Sequence, residues 1–366
     1  NVPIRDGVIT DDRRIEMALP SIKSVLNRGG TLTLMSHLGR PKGNGYEEEF
    51  SLSPVAERLS DLLERKVVFS DEDTTSEIVL VENLRFSAGE KQGDASFAES
   101  LAAKGDIYCN DAFGTAHRNH ASMVAVPEAM SGKPRVAGLL LAKELKYLDE
   151  TITHASKPFV AVIGGAKVSD KIKVIDRLIE KADTILIGGA MAYTFKLALG
   201  KSVGDSLVEP DKVDIAQAAL DKAAERGVEF LLPSDNLISQ MNDGKWADPE
   251  VNRAEDIPDG REGVDIGPAT AARYAEAITG AKTILWNGPL GVFEMEKFST
   301  GTIALGNSIA EATKNGAFSL VGGGDSVSAV KQFGFENKVS YVSTGGGAML
   351  ESLEGKILPG IAAFSK

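Results

Sequence analysis

Two stretches of sequence near the end of the chain decide the fold class: Ala317–Ser326 (AFSLVGGGDS) and Val339–Gly347 (VSYVSTGGG). In each stretch, a run of β-branched and aromatic residues is followed by glycines and then by a segment with helical character. Glycine lets the backbone come close to a ligand, and the helix that follows directs free N–H groups and a partial positive charge at the turn. One such turn is usually a plain connection between a strand and a helix. Two of them in one chain, the first carrying Asp325, predict a parallel sheet that binds a nucleotide.

The same alternation of short apolar runs and amphipathic segments extends along almost the whole chain. Near-continuous apolar runs separated by helices are typical of parallel strands that are covered on both faces. We therefore predict an α/β protein with two doubly wound parallel-sheet (Rossmann-like) domains joined by a connector helix. The predicted strands are Thr31–Ser36, Ile78–Val81, Asp106–Asn110, Phe159–Ile163, Thr184–Ile187, Glu229–Leu232, Thr283–Trp286, Phe318–Val321 and Val339–Val342.

An amphipathic segment near the middle of the chain marks the predicted boundary between the domains. Apolar residues recur at helical spacing from Leu141 to Ile152, and Lys157-Pro158 ends the pattern. This helix is either a surface helix of one domain or the connector about which two domains hinge. We predict an N-terminal domain over residues 1–140, a connector over 141–156, a C-terminal domain over 157–350, and a tail over 351–366 that returns to the N-terminal domain.

Composition limits the classes of function. The 366 residues carry a formal net charge of −12, with 43% hydrophobic and 25% charged residues, as in an ordinary acidic enzyme. Non-specific nucleic-acid binding needs a basic face, and a membrane span needs roughly 20 apolar residues in a row, so we expect neither partner. The single Cys109 excludes an internal disulfide and fits a reducing compartment, from which we expect a cytoplasmic protein. Any anionic ligand must be bound by a local cluster of basic residues.

Such a cluster is predicted at the carboxyl ends of the strands in the first half, where ligands of open α/β sheets bind. The segments that follow three predicted strands each contain an arginine: Ser36–Pro41 (SHLGRP), Glu82–Phe86 (ENLRF) and Asp111–Arg118 (DAFGTAHR). A lone arginine there is more often a solvated surface group. Four arginines together predict a binding site for a small, multiply charged anion, held by bidentate guanidinium contacts. They are Arg40, Arg85 and Arg118, with Arg14 at the start of a helical segment. His37 could add a switchable charge, whereas His117 and His120 are more often structural.

The second half carries the predicted nucleotide site. Gly164–Lys171 (GGAKVSDK) follows a strand, and its two lysines, Lys167 and Lys171, share a face if the segment is helical. Paired lysines are usually just solvated, but beside a glycine turn they suit neutralisation of a polyphosphate. Gly188–Ala190 and Asn287–Glu294 follow further strands and could shape a purine and ribose pocket. Asp325 is the candidate ligand for Mg²⁺, which takes few protein carboxylates and several phosphate oxygens.

At this level of detail the chain resembles the phosphoglycerate kinase family over essentially its whole length. Several of the matching motifs are individually distinctive, and their order along the chain is that of the family. They are Asn1-Val2-Pro3, Ser36–Pro41, Glu82–Phe86, Asp111–Arg118, Gly164–Val168 (GGAKV), Trp286–Pro289 (WNGP), Gly322–Asp325 (GGGD) and Ser343–Gly347 (STGGG).

The resemblance implies a phosphotransferase with a carboxyl group as acceptor. It catalyses reversible phosphoryl transfer between 1,3-bisphosphoglycerate and ADP, giving 3-phosphoglycerate and ATP with Mg²⁺, in a two-domain monomer that closes about a hinge. It implies that phosphoglycerate binds to Asn1, Arg14, His37, Leu38, Gly39, Arg40, Arg85 and Arg118. It implies that the nucleotide binds to Lys167, Lys171, Gly188, Gly189, Gly263, Asn287, Glu294, Gly322, Gly323, Gly324, Asp325 and Ser326. Arg14, Lys167 and the helix end at Gly324 are the candidate catalytic groups.

The chain departs from the family pattern at two places. The family's first strand and an aspartate two residues before Asn1 fall outside residues 1–366, so we expect this stretch of chain to lack one strand and one substrate ligand. The segment from Val67 to Ile78 is shorter than in relatives, which carry an extra helix there.

Two rival classes of function stay open on the residues alone. One is another nucleotide enzyme of similar architecture, such as an NAD-dependent dehydrogenase, although no G-x-G-x-x-G motif follows the first strand. The other is a two-domain binding protein that closes on an anion. Nicotinamide competition separates the first rival from a kinase, and nucleotide binding separates the second.

Overall fold

The computed structural model of the chain describes residues 1–73 and 75–364. The described chain divides into two compact units. The first contains residues 1–145 together with the described residues from Ile357 onward, and the second contains Lys146–Lys356. The division falls within helix Leu139–Ile152, in the segment where the sequence predicted a boundary helix.

The second unit is built on one parallel sheet of six strands. In chain order these are Phe159–Ile163, Thr184–Ile187, Glu229–Leu231, Thr283–Asn287, Phe318–Val321 and Tyr341–Val342. Numbered in that order, they lie side by side as 3-2-1-4-5-6, which is the Rossmann arrangement. Phe159–Ile163 and Thr283–Asn287 are entirely buried, which explains their near-continuous apolar runs. The six strands predicted for this half are confirmed, with differences of one or two residues at their ends.

Helices follow these strands and pack on the sheet through apolar stripes. In helix Ile172–Ile179, for example, Val174, Ile175, Leu178 and Ile179 are buried at helical spacing. The α-helices within this unit are Ile172–Ile179, Met191–Ala198, Val213–Glu225, Pro268–Thr279, Thr300–Lys314, Gly324–Gln332 and Gly347–Leu353.

Antiparallel strands that the sequence did not predict lie between the third and fourth parallel strands. Asn236–Ser239 pairs on either side with Glu250–Asn252 and Glu262–Ile266, and Met241–Asn242 forms a hairpin with Lys245–Trp246. These strands are short and rich in polar residues, so they lack the apolar runs from which strands were identified.

The first unit contains two separate parallel sheets. Ile78–Leu80 is the central strand between Leu32–Leu34 and Val68–Phe69, while Tyr108–Asn110 pairs with Arg135–Ala137. The three strands predicted here are confirmed in shortened form. Val68–Phe69 and Arg135–Ala137 were missed because two or three residues are too few for a recognisable pattern.

The remaining elements of the first unit are short apart from two helices of 14 and 11 residues, Arg13–Leu26 and Ser53–Leu63. A small antiparallel pair joins Ile4–Arg5 to Val8–Ile9. The other helices are Ala88–Gln92, Ala95–Ala102, a π-helical turn at Ala121–Ala125, Val126–Ala129 and Pro359–Ala362. The α/β class with parallel sheets is therefore confirmed in both halves. Across the described residues, no helix has the length and apolar character needed to cross a membrane.

Candidate functional site

The glycine turns of the second unit meet at the carboxyl edge of its sheet. Each turn continues the hydrogen bonding of the strands for one more residue. The N–H of Gly164 donates to the carbonyl of Asn287, and the N–H of Gly188 donates to the carbonyl of Ile163, both at 3.0 Å. The N–H of Gly322 donates to the carbonyl of Trp286 at the same distance. The sheet therefore brings together segments that lie far apart in the sequence.

Close packing between the turns explains several of their glycines. A Cβ added at Gly164 would lie 2.0 Å from the carbonyl oxygen of Pro289, and one added at Gly288 would lie 2.2 Å from that of Gly164. Gly288 and Gly189 also have positive φ angles, of 111° and 68°. By contrast, apart from its chain neighbours and the backbone of its own helix, no described atom lies within 4 Å of a Cβ added at Gly324. The backbone is therefore open to a ligand at Gly324, the first residue of helix Gly324–Gln332.

Asn287 joins two of the predicted nucleotide segments. Its Oδ1 accepts a hydrogen bond from Nζ of Lys171, and its Nδ2 donates to the carbonyl of Gly322 at 2.7 Å. Oγ of Ser326 accepts from the N–H of Gly288 at 2.6 Å. The structure thus brings Lys171, Asn287 and the Gly322–Ser326 turn into one hydrogen-bonded group.

The environment of Lys171 also places it near Asp325. Burial lowers the pKa of Lys171, and the negative charge of Asp325 acts in the opposite direction. Asp325 is exposed at the start of its helix, whereas Ser326 is buried. A cation and a carboxylate therefore flank the helix end at which Gly324 is accessible.

The condition under which Lys167 and Lys171 would share a helical face is not met. Helix Ile172–Ile179 begins after both residues, so the two lysines do not share a helical face. The segment is a turn in which the N–H of Lys171 donates to the carbonyl of Val168, and Ser169 is bonded to Glu209. Lys167 is exposed, whereas Lys171 is half-buried.

Gly263 and Glu294 lie on neighbouring segments of the second unit. Gly263 is in strand Glu262–Ile266, and a Cβ added there would lie 2.0 Å from Oη of Tyr193. The carbonyl of Val264, the next residue, accepts from the N–H of Val292 at 2.9 Å. The loop that ends at the exposed Glu294 is thereby attached to the strand that carries Gly263.

In the first unit, hydrogen bonds connect four of the predicted phosphoglycerate ligands. The carbonyl of Asn1 accepts from Nη1 of Arg14, and its Oδ1 accepts from the N–H of Gly39 at 3.0 Å. Nη1 of Arg85 donates to the carbonyl of Gly39 at 2.7 Å. Residues 1, 14, 39 and 85 of the sequence are thus brought to one place.

Arg85 lies close enough to two other predicted arginines for their positive charges to repel its own. Burial lowers the pKa of Arg85, and the positive charges of Arg118 and Arg40 lower it further, while Glu90 opposes them. Arg85 is 6% exposed, and its Nε is buried without a hydrogen-bond acceptor among the described residues. Arg40 and Arg118 are exposed. A cluster of guanidinium groups with so little negative charge nearby is suited to a multiply charged anion.

The surroundings of His37 disfavour a positive charge on its imidazole. Burial lowers its pKa to about 2, and nearby positive charges, among them Arg85 and Arg118, act in the same direction. In the absence of an anion, this environment favours the neutral imidazole, which can still form a hydrogen bond to an anion. His120 lies 3.6 Å from Glu90, which also accepts from Ser122, as expected of a structural histidine.

Asn83 is a positioning residue that the sequence reasoning did not single out. It is buried, and its Nδ2 donates to the carbonyls of Leu38 at 2.8 Å and Phe50 at 3.0 Å. These bonds hold the turn that contains His37, Leu38, Gly39 and Arg40. The available signal was an amide side chain placed shortly after an apolar strand.

Within the described residues, no group of three or more histidine, cysteine, aspartate or glutamate side chains could hold a metal ion. The single carboxylate of Asp325 still fits Mg²⁺ that arrives with a nucleotide, because such ions take most of their ligands from phosphate and water.

Comparison with known proteins gives a consistent result. The family model described as phosphoglycerate kinase matches residues 1–356. The chain is 53% identical to the phosphoglycerate kinase of Rhodopirellula baltica, over 97% of this chain and 92% of the relative. It is 50% identical to that of Thermosipho africanus, over 100% of this chain and 93% of the relative.

Solved structures agree with this result. The phosphoglycerate kinase from Coxiella burnetii superposes with a TM-score of 0.91 at 41% identity, and that from Pyrococcus horikoshii with a TM-score of 0.83 at 31% identity. Each alignment covers 100% of this chain and 94% of the solved chain. With a matching family model and relatives of this similarity, the chain belongs to the phosphoglycerate kinase family.

Proposed function

We propose that the two units of this chain bind different substrates of its reaction. As a member of its family, the chain catalyses reversible phosphoryl transfer from 1,3-bisphosphoglycerate to ADP, giving 3-phosphoglycerate and ATP. It is therefore a phosphotransferase with a carboxyl group as acceptor. The first unit binds the phosphoglycerate and the second unit binds the nucleotide.

The observation that carries this division is the contrast between the two clusters of basic residues. The first unit holds mutually repelling guanidinium groups around the buried Arg85, which suit a compact anion with two acidic ends. The contacts with phosphoglycerate come from Asn1, Arg14, His37, Arg40, Arg85 and Arg118. The backbone at Leu38 and Gly39 shapes the turn that carries His37 and Arg40.

The second unit offers the features that a polyphosphate requires. Lys171 is fixed by Asn287 beside the Gly322–Ser326 turn, and the backbone is accessible where the helix begins at Gly324. Gly188, Gly189, Gly263 and Glu294 border the base and ribose in this proposal. Asp325 would hold Mg²⁺ together with the phosphates of the nucleotide, and the ion would supply positive charge against theirs.

Catalysis by these residues requires no general base. In the direction that consumes ATP, the nucleophile is the carboxylate of 3-phosphoglycerate, which is already ionised at neutral pH. The protein must instead bring two polyanions together and stabilise the charge of the transferred phosphoryl group. At an effective dielectric constant of about 20, two unit charges about 4 Å apart interact by roughly 4 kcal/mol. Arg14, Lys167 and the helix end at Gly324 supply this stabilisation.

Direct transfer needs the reacting atoms within about 3–3.5 Å of each other. Because the two ligands are assigned to different units, we propose that the units approach one another during catalysis about the helix Leu139–Ile152. Both sets of ligands come from one chain, so a monomer suffices for activity. A cytoplasmic location agrees with the single cysteine, Cys109.

A binding experiment with matched variants tests the division. Arg118→Ala should weaken binding of 3-phosphoglycerate by roughly tenfold or more and leave ADP binding unchanged, while Lys171→Ala should do the reverse. Arg65→Ala is the control in the first unit and Lys173→Ala the control in the second. Each removes an exposed cation that lies outside the proposed sites. Calorimetric titration with each ligand measures all four variants, and equal losses for both ligands would contradict the assignment.

A further inference from the structure

Asp265 is a buried carboxylate that the reaction as described does not use. It lies in strand Glu262–Ile266 and is 1% exposed. Its Oδ2 accepts from the N–H of Gly301 at 2.5 Å, and its Oδ1 accepts from the N–H of Ile266 at 2.9 Å. Gly301 is in the first turn of helix Thr300–Lys314, so the carboxylate satisfies a free N–H group at the start of that helix.

The same carboxylate lies against the loop that leads to Glu294. A Cβ added at Gly291 would lie 2.5 Å from Oδ1 of Asp265, and a Cβ added at Gly301 would also lie 2.5 Å from that atom. A Cβ at Gly291 would also lie 2.6 Å from the carbonyl oxygen of Val264, whereas one at Gly301 would meet the side chains of Ile266 and Asp265. The loop and the helix start therefore approach Asp265 from two directions.

Backbone hydrogen bonds attach this loop to its surroundings. The N–H of Val292 donates to the carbonyl of Val264 at 2.9 Å, next to Asp265 in the strand. The carbonyl of Leu290 accepts from the N–H of Gly189 at 2.8 Å, and its N–H donates to Oγ1 of Thr302 at 3.2 Å. A displacement at Asp265 would thus move the loop relative to the Gly188–Ala190 turn and to helix Thr300–Lys314.

We propose that Asp265 is a positioning residue for the nucleotide: its carboxylate holds the Gly288–Glu294 loop and the neighbouring Gly263 in the geometry that nucleotide binding requires. Asp265 acts through these segments and does not touch the ligand. This inference rests on the proposed function, which assigns Gly263 and Glu294 to the nucleotide.

The charge of Asp265 is sensitive to pH near neutrality. Burial raises its pKa to about 7, against the opposing effect of the two N–H groups that it accepts from. The titratable group that faces it is Tyr193, whose pKa is raised by burial and by the charge of Asp265. Proton uptake would weaken the bond to Gly301, because a charged acceptor forms the stronger hydrogen bond.

Asp265→Asn tests the inference, because asparagine keeps the size of the side chain but removes its charge and one acceptor. Asp235→Asn is the matched control. Asp235 is also buried, and its carboxylate accepts from the N–H groups of Ala269 and Thr270 at the start of another helix, Pro268–Thr279. Binding of ADP and of 3-phosphoglycerate is measured by calorimetry, and thermal unfolding is recorded alongside.

We expect Asp265→Asn to weaken ADP binding by roughly tenfold, the effect of losing one charge-assisted hydrogen bond, with 3-phosphoglycerate binding unchanged. Between about pH 6 and about pH 8, ADP affinity should also vary less in this variant than in the wild type. Asp235→Asn should keep both affinities. Wild-type ADP affinity in Asp265→Asn, or an equal loss in Asp235→Asn, would overturn the inference and leave Asp265 with a structural role.

Gly291→Ala provides a second test that retains the carboxylate, in case Asp265→Asn does not fold. Its methyl group should push the loop away from Asp265 and weaken ADP binding, and unchanged binding would overturn the inference. Lys171→Ala separates this result from failure of the proposed function. If Lys171→Ala leaves ADP binding intact, the nucleotide site itself is misassigned. If Lys171→Ala weakens ADP binding while the Asp265 and Gly291 variants do not, only the positioning role is refuted.

Discussion

The Asp265→Asn variant should become more stable relative to the wild type as the pH rises from about 4 to about 8. Burial raises the pKa of Asp265 from its ordinary value of 3.8 to about 7. Between these two values the folded protein holds a proton that the unfolded chain has released. Because the unfolded state then binds fewer protons than the folded state, the free energy of unfolding of the wild type falls as pH rises through this range.

The size of the effect follows from the difference between the two pKa values. That difference is about 3 units, and at about 1.4 kcal/mol per unit it corresponds to about 4 kcal/mol. Asparagine resembles the protonated acid in shape and does not titrate. The two proteins should therefore be similar in stability at about pH 4, and the variant should exceed the wild type by up to about 4 kcal/mol at about pH 8.

Urea unfolding followed by tryptophan fluorescence can measure this difference. The chain has two tryptophans, Trp246 and Trp286, and both lie in the unit that contains Asp265. The signal therefore reports on the relevant unit. Asp235→Asn again controls for loss of a carboxylate at a helix start. A difference between Asp265→Asn and the wild type that stays constant over the pH range, or that decreases with rising pH, would refute the reasoning.

Three further outcomes are expected. Lys167→Ala should lower kcat by orders of magnitude and change ADP affinity far less, because its charge is placed to act on the transferred phosphoryl group; steady-state kinetics would contradict this if kcat were retained and affinity lost. Gly164→Ala should destabilise the second unit by about 3 kcal/mol, because its Cβ would lie 2.0 Å from the carbonyl oxygen of Pro289; a loss below about 1 kcal/mol in urea unfolding would show that the turns can separate. Small-angle scattering should show a smaller radius of gyration with both substrates bound than with either alone, and an unchanged radius in all states would exclude closure.

Much of the second unit could be predicted from the sequence because its information is local. Strands such as Phe159–Ile163 are buried along their whole length, so their residues are apolar without interruption and stand out from the helices between them. Parallel strands also have their carboxyl ends at one edge, which places the segments after them together without knowledge of their packing. The arginine cluster of the first unit was predicted by the same rule, and Arg40 and Arg118 both lie close enough to Arg85 to lower its pKa.

The errors arose where the outcome depends on neighbours that are distant in sequence. The spacing of Lys167 and Lys171 suggested a shared helical face, but the backbone there turns to bond Ser169 with Glu209 and the helix starts later. His37 has the ordinary pKa of an imidazole until burial among arginines lowers it. The role of Asp265 depends on Gly291 and Gly301, which are distant from it in the sequence.

The α/β class, the parallel strands and the residue types at each strand end are readable from the sequence, since they follow from periodicity and from the direction of the chain. The tertiary structure decided which of those residues are buried, paired or exposed. Burial and charge act through space, and it is the folded chain that brings Asn287 to Lys171, Arg118 to Arg85, and Gly301 to Asp265. Glycine illustrates both levels: its presence in the turns is visible in the sequence, but whether it serves packing, as at Gly164, or access for a ligand, as at Gly324, depends on what the fold places beside it.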